Sequence, residues 1–270
     1  MTRSASEAED LVQECWLRWQ SSDLSAINNA EAWLVTTVSR MSIDVLRSAR
    51  KKRETYIGPW LPEPLLSQSE TPAELVSLAD TLSFALLAIL EQLSPKERAA
   101  FVLKEAFEFN HLEIGEVLGI ETGASRKLLS RAKQKLDVSK ASAESDVAEH
   151  EELFIAFAAA SASGDLKQLL NLFSDDIRLV SDGGGKVLAA LRPLHGKERI
   201  ERFILRLLAN TGDHHQFSLC TVNARSGLWI TENEEPYACV SVGCHLGKIN
   251  HIYVVRNPDK LKSAKPQNIV

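Results

Sequence analysis

From residue 6 to residue 20 the apolar positions Leu11, Val12, Cys15, Trp16 and Trp19 fall three and four apart, the spacing of one face of a helix. Ser6 with Glu9 three residues on has the form of a capping box and predicts an N-cap at Ser6. Residues 21–30 are polar and read as a loop. Helical spacing resumes over about 31–54, with Trp33, Leu34, Thr37, Val38, Met41, Val45 and Leu46 as an inner stripe. Arg40, Asp44, Arg47 and Lys51 share the opposite side at steps of three and four.

The pattern then breaks. Residues 56–72, YIGPWLPEPLLSQSETP, hold four prolines and a glycine, which excludes a regular helix or a central strand. Tyr56, Ile57, Trp60, Leu61 and Leu65 are too apolar for a solvated tether, so this segment is expected to dock against a surface. A helix is predicted over 72–92, starting near Pro72. The next starts with Ser94 as cap, Pro95 in the first turn and Glu97 completing the box, and runs to about Phe107. Residues 111–118 form a short helix closed by Gly119, and 122–136 form another with Thr122 as a candidate cap.

A Ser/Ala/Glu-rich stretch over 139–149 marks a boundary. Residues 147–173 are helical and Ala-rich; after them come strand-like IRLVSD and KVLAAL and a helix at about 197–209. FSLCTVNA, GLWITEN, YACVSVGCH and KINHIYVV follow at hairpin spacing, which predicts an antiparallel sheet and an α+β domain.

A chain of 270 residues exceeds one core and predicts two or three domains. No apolar run reaches the roughly 18 residues of a membrane span, and the N-terminus carries no signal-peptide h-region, so no membrane association and a cytoplasmic location are expected. Cys15, Cys220, Cys239 and Cys244 form no CxxC pair and read as reduced, mostly buried thiols; no metal and no cofactor are expected. The net charge of −5 hides two basic segments. Residues 31–53 carry six basic residues against two acids, and 121–136 carry five against one, so each is +4. Local basic segments on an acidic chain suit a DNA binder that also keeps acidic surface for a protein partner.

Residues 111–136 match a helix-turn-helix, with Ile114, Val117, Leu118 and Ile120 packing inward against Leu128 and Leu129. That leaves Thr122, Ser125, Arg126 and Lys127 at the front of the second helix, where base edges are read, and Arg131, Lys133 and Lys135 further along for phosphate. A plain helical hairpin with a solvated basic face remains the alternative reading of the same pattern.

EAEDLVQECWLRW resembles the core-binding helix of the extracytoplasmic-function (ECF) sigma factors, EAWLVTTVSRMSIDVLRSARKKRE their −10 helix, and LSPKERAAFVLKEAF with LEIGEVLGIETGASRKLLSRAKQKL their −35 domain. The three stand in the family's order over residues 7–137. GPWLPEP at 58–64, DGGGK at 182–186 and NPDKL at 257–261 are similar to signatures of the SigJ-like subgroup. That subgroup carries a C-terminal SnoaL-like α+β cone of the nuclear-transport-factor-like kind.

The resemblance implies a multidomain protein. Sigma region 2 would span 1–55, a Pro-rich docking linker 56–71 and the region 4 helix-turn-helix 72–138, all-α in both sigma domains. The SnoaL-like domain would span 147–256 and a tail 257–270. Its implied partners are core RNA polymerase, through the β′ clamp helices and the β flap, and the −35 and −10 promoter elements. Asp10, Gln13 and Glu14 would meet the clamp helices, and Arg40, Arg47, Arg50, Lys51 and Lys52 would hold the −10 strand. Trp33, at its helical spacing, reads as core rather than as a stacking platform.

Trp60, Leu61, Pro62, Glu63 and Pro64 would dock on Asp182, Gly183, Gly184, Gly185 and Lys186 and on Asn257, Pro258, Asp259, Lys260 and Leu261. The C-terminal domain would then regulate promoter activity. DGGGK lacks the spacing of a P-loop. His195, His214, His215, His245 and His251 show no defensible catalytic spacing, so no enzyme activity is expected, though an unknown small ligand in that domain is. Family members begin earlier, with a further amphipathic helix, so the face of Trp16, Trp19 and Trp33 is expected to lack a cover. Two alternatives stand beside the initiation factor: a ligand-responsive DNA-binding regulator, and a SnoaL-like enzyme with a helical DNA-binding module.

Overall fold

The computed structural model describes residues 5–53, 56–66, 84–140, 147–210, 215–223 and 225–264. The predicted helix start at Pro72, the end of the linker at 67–71, His214 and the tail beyond 264 lie outside them. The chain divides into two compact units, residues 1–55 with 89–138, and residues 56–88 with 139–270.

The first unit is helical. Helix α1 (Ala5–Ser21) and α2 (Ala30–Arg53) form a pair, joined through a short 3₁₀ turn at Leu24–Ala26 that Asp23 caps. Ser6 lies inside α1, so it is not the cap that its spacing with Glu9 predicted. Leu11 and Cys15 pack on Met41, with Trp33, Val38 and Val45 around them, and Trp19 meets Trp33 edge-to-face at 5.3 Å. Val12 and Trp16, expected on the inner stripe, are exposed.

Helix α3 (Phe84–Leu90) precedes α4 (Pro95–Glu105), which opens on the predicted capping box: Ser94 Oγ accepts from Glu97 N, and Ser94 N donates to the Glu97 carboxylate. Helices α5 (His111–Leu118) and α6 (Thr122–Lys140) complete the unit. Val35 and Ile43 of α2 share a core with Ala99, Ala100 and Leu103 of α4 and Ile114 and Val117 of α5. Helix α2 is therefore buried on two sides, where the sequence showed one.

The second unit is α+β. Helices α7 (Val147–Ser163) and α8 (Leu166–Leu172) are broken at Gly164, whose φ of +69° ends the first. Strands β1 (Phe173–Asp182) and β2 (Leu194–His195), helix α9 (Lys197–Asn210), strands β3 (His215–Val222), β4 (Arg225–Glu232), β5 (Glu235–His245) and β6 (Lys248–Val255), and helix α10 (Pro258–Ser263) follow. The sheet order is β2-β1-β6-β5-β4-β3. The last four strands form the predicted antiparallel meander, while β1 runs parallel to β6. KVLAAL, expected as a strand, is a loop with Leu188 and Leu191 exposed: an apolar run without a strand to pair with does not form one.

One sheet face carries the main core, where Phe154, Phe157, Leu169 and Ile200 of the helices meet Ile177, Leu179, Val242 and Ile252. The other face carries Trp229, Cys239, Tyr253 and Val255, covered by Leu61 of the linker and Leu261 of α10. The architecture is thus two helical modules in sequence followed by an α+β cone.

Candidate nucleic-acid interface and linker dock

The helix-turn-helix is built by its caps. Asn110 Oδ1 accepts from Leu112 N and Glu113 N, and Asn110 N donates to Glu113, so α5 starts on a second capping box. Gly119 ends it at φ +60°, ψ 48°, a left-handed C-cap. The turn is tight enough that a Cβ on Gly115 would stand 2.7 Å from the Ile120 carbonyl. Ile114, Val117, Leu118, Leu129, Ala132 and Leu136 are buried, as the inward pattern requires.

On α6, Arg126, Lys127 and Arg131 are exposed. Ser125 corrects the expectation of a base contact. It is fully buried, and its Oγ lies 3.3 Å from His111 Nδ1, because it sits on the inner face with Leu129 and Ala132. Thr122 is the first residue of the helix rather than its cap; the Glu121 carbonyl accepts from Ala124 N and Ser125 N. Lys133 pairs with Glu105 at 2.9 Å and Lys135 with Glu97 at 2.7 Å, so these two expected phosphate contacts are spoken for inside the unit. Burial alone would raise the Glu97 carboxyl, but its hydrogen bonds with Lys135 and Ser94 outweigh burial and hold it below its usual range.

On α2, Arg47 is exposed and lies 3.4 Å from Asp44. Arg40 has a different role in this structure: its Nε donates to Val117 O at 2.9 Å and its Nη2 to Glu116 O at 3.0 Å, the last carbonyls of α5. A guanidinium suits that negative helix end. Arg50, Lys51 and Lys52 lie on the last turns of α2, and their side chains lie outside the described residues. On α1, Asp10, Gln13 and Glu14 are exposed, with Glu14 paired to Arg18 at 2.5 Å.

In the second unit the three predicted signatures meet at Asp182, which is fully buried. Its Oδ1 accepts from the Tyr56 hydroxyl and from Gly184 N at 3.0 Å. Its Oδ2 accepts from Leu61 N at 2.8 Å and from Lys260 Nζ at 2.7 Å. Lys260, 3% exposed, also donates to the Leu61 carbonyl and stands 3.4 Å from the centroid of the Trp60 ring, a cation–π contact. Asn257 caps α10 through Asp259 N and donates from Nδ2 to the Tyr56 oxygen at 3.0 Å. Burial, then the bond to Asp182, raises the Tyr56 hydroxyl far above its ordinary range.

Around this centre Pro62 and Pro64 are buried, Glu63 is half-buried, and Lys186 pairs with Asp259 at the rim at 2.5 Å. The glycines of DGGGK have steric reasons. Gly184, at φ +62°, would drive a Cβ to 2.5 Å from the Asn257 amide, and Gly185 would meet Ile57 at 2.9 Å. Gly183 lies tight against the Val187 carbonyl, and Pro258 opens α10. No motif pointed to Asn223, whose Oδ1 accepts from Leu65 N and whose N donates to Leu65 O, or to the bridge between Leu66 and Val222.

His150, buried against Val242 O, is held below its usual pKa by burial, and so is His251, at about 4. Among the described residues no cluster of His, Cys, Asp and Glu is arranged to hold a metal ion, and no helix is long and apolar enough to cross a membrane.

Residues 1–52 match the family model Sigma-70 region 2, and residues 83–136 match Sigma-70, region 4. The ECF RNA polymerase sigma factor SigJ of Mycobacterium tuberculosis is 36% identical, over 96% of this chain and 87% of that protein. The probable ECF sigma factor SigI of the same species is 32% identical over 74% of this chain and 68% of its own length. The crystal structure of the M. tuberculosis factor SigJ aligns with a TM-score of 0.78 at 33% identity, covering 98% of this chain and 92% of that one.

Proposed function

The chain belongs to the ECF sigma factors, which give RNA polymerase its promoter specificity, and from that premise we propose how its surfaces divide the work. Arg126 and Lys127 at the front of α6 read the −35 element, and Arg131 holds phosphate. Arg47, Arg50, Lys51 and Lys52 hold the −10 strand, and Arg40 joins them once it leaves α5. Asp10, Gln13 and Glu14 meet the β′ clamp helices, and the region 4 helices meet the β flap. The factor works in the cytoplasm and is not an enzyme.

The observation that carries the promoter reading is a doubly capped helix-turn-helix whose second helix presents Arg126, Lys127 and Arg131 to solvent. The buried Asp182–Lys260 pair supports a second part: the C-terminal unit restrains the linker that joins the two promoter-reading regions, and thereby sets promoter activity.

Run-off transcription with core polymerase, on the promoter upstream of the protein's own gene, tests both parts. The full chain should initiate, and Arg126→Ala should not. Removing residues 147–270 and removing only residues after 256 should give different activities. Equal transcription from the full chain and both truncations would sink the regulatory part alone.

A further inference from the structure

The concave face of the sheet in the second unit encloses a cavity of about 480 Å³ under α7, α8 and α9. Protein interiors rarely leave voids much larger than a water molecule, while small-molecule sites occupy roughly 300–1,000 Å³. The walls are apolar: Phe157, Leu179, Phe203, Ile230 and Ile252 contribute from helices and sheet.

The polar groups in the lining are not scattered. His215 begins β3, Tyr237 lies near the start of β5, and Arg256 follows the end of β6. The register brings these ends together, since His215 pairs with Glu232, Glu232 with Glu235, and Cys239 with Val255. The charged and aromatic polar groups thus share one end of the cavity, while Ser161 and Ser163 of α7 also line it among the apolar residues. His215 meets Tyr237 edge-to-face at 4.4 Å, and the Arg256 guanidinium lies 3.9 Å from the Tyr237 ring centroid.

At that end Glu232 Oε1 lies 3.4 Å from His215 Nε2, while Arg256 is left to neutral neighbours. Arg256 donates from Nη1 to the Leu188 carbonyl at 2.8 Å, and its Nε is buried with no acceptor. Among the described residues no carboxylate lies within ion-pair distance of it. A partly buried guanidinium facing an apolar chamber suits an acid that offers two oxygens to its fork.

We propose that this cavity binds a small amphipathic anion, an apolar aromatic or branched body ending in a carboxylate that Arg256 receives, with His215 and Tyr237 beside it. The proposal goes beyond promoter recognition and does not depend on it.

Isothermal titration of the full-length protein with three probes of one skeleton tests it: naphthalene-2-carboxylate, naphthalene-2-methanol and naphthalene-2-methylamine. The carboxylate should bind at one site, roughly tenfold or more tighter than the alcohol, with the amine weakest. Arg256→Gln should erase the preference for the acid and leave the alcohol's affinity within about twofold. Ile204→Trp on α9 narrows the chamber from its helical wall and should weaken all three probes.

No binding, equal affinity for the three probes, an acid preference that survives Arg256→Gln, or probe binding unchanged by Ile204→Trp would each overturn the proposal. Circular dichroism and a thermal melt establish that each variant is folded. If Arg256→Gln is not, the probe series and Ile204→Trp still decide the question.

Discussion

Asp182→Ala is the sharpest perturbation of the linker dock. It removes the Asp182 carboxylate from the Lys260 ammonium, which stays buried beside the Leu61 carbonyl and the Trp60 and Tyr56 rings. Breaking one side of a buried pair costs about 3–5 kcal/mol, because a charge is left uncompensated. Lys260→Met should cost less, about 1–3 kcal/mol, since the Asp182 carboxylate keeps three donors in Tyr56, Leu61 and Gly184. The double variant leaves no buried charge and should lose at least about 2 kcal/mol less than the two singles together.

Hydrogen exchange at the Leu61 amide reads the dock directly, because that N–H donates to Asp182. A loss of about 3 kcal/mol corresponds to roughly a hundredfold drop in protection. If the two single effects add to within about 0.5 kcal/mol, the pair is not coupled and the reasoning is wrong. Protection at Leu61 that survives Asp182→Ala would refute it just as well.

Other outcomes follow from the same geometry. Ser94→Ala removes the acceptor of the α4 capping box and should lower the first unit's stability by about 1 kcal/mol in urea melts. With reconstituted holoenzyme, Arg126→Ala should cost about 1–3 kcal/mol and relax the −35 sequence preference, whereas Arg131→Ala should weaken all sequences alike and reduce the salt slope by about one, both measured by DNA anisotropy. His251 is depressed to about 4 by burial first, then by Arg178 and His195, against Asp176. A base whose folded pKa lies below its unfolded value of about 6.5 contributes a penalty only where the unfolded chain is protonated. The second unit should therefore keep full stability above pH ~7 and lose at most about 3 kcal/mol between pH ~6.5 and ~4. His251→Gln should remove that part of the slope in pH-dependent melts; an unchanged slope would exclude His251 as its source.

Local chemistry was legible in the residues. The Ser94–Pro95–Glu97 box, the Gly119 cap and the β3–β6 meander all rest on groups within a few positions of one another, which spacing reports directly. What depends on distant partners was not. The apolar stripe of α2 pointed to one buried side, but Val35 and Ile43 pack on α4 and α5, and nothing within α2 announces a second neighbour. KVLAAL is apolar in the manner of a strand yet pairs with none. The parallel pairing of β1 with β6 joins segments some seventy residues apart, and hairpin spacing is silent about it. Ser125 looked available because it stands beside exposed Arg126, and its inward direction follows only from the packing of α6 on α5. Arg256 carried no motif at all; its place in the cavity is a product of sheet register.

The hold that Arg40 keeps on α5 sets a geometric condition on initiation. The −35 and −10 elements are separate stretches of the promoter, and duplex DNA rises about 3.4 Å per step between them. On the proposed division of work, α2 and the α5–α6 helix-turn-helix read separate elements, so the contact of Arg40 with α5 would have to open. On that same proposal, core polymerase would select a parted form in which Val35 and Ile43 leave Leu103 and Val117. Its apparent affinity is lowered by the fraction of molecules that remain clasped. On that reading Arg40 would act as a threshold on holoenzyme assembly before any promoter is met, and Arg40→Ala should raise the factor's affinity for core polymerase.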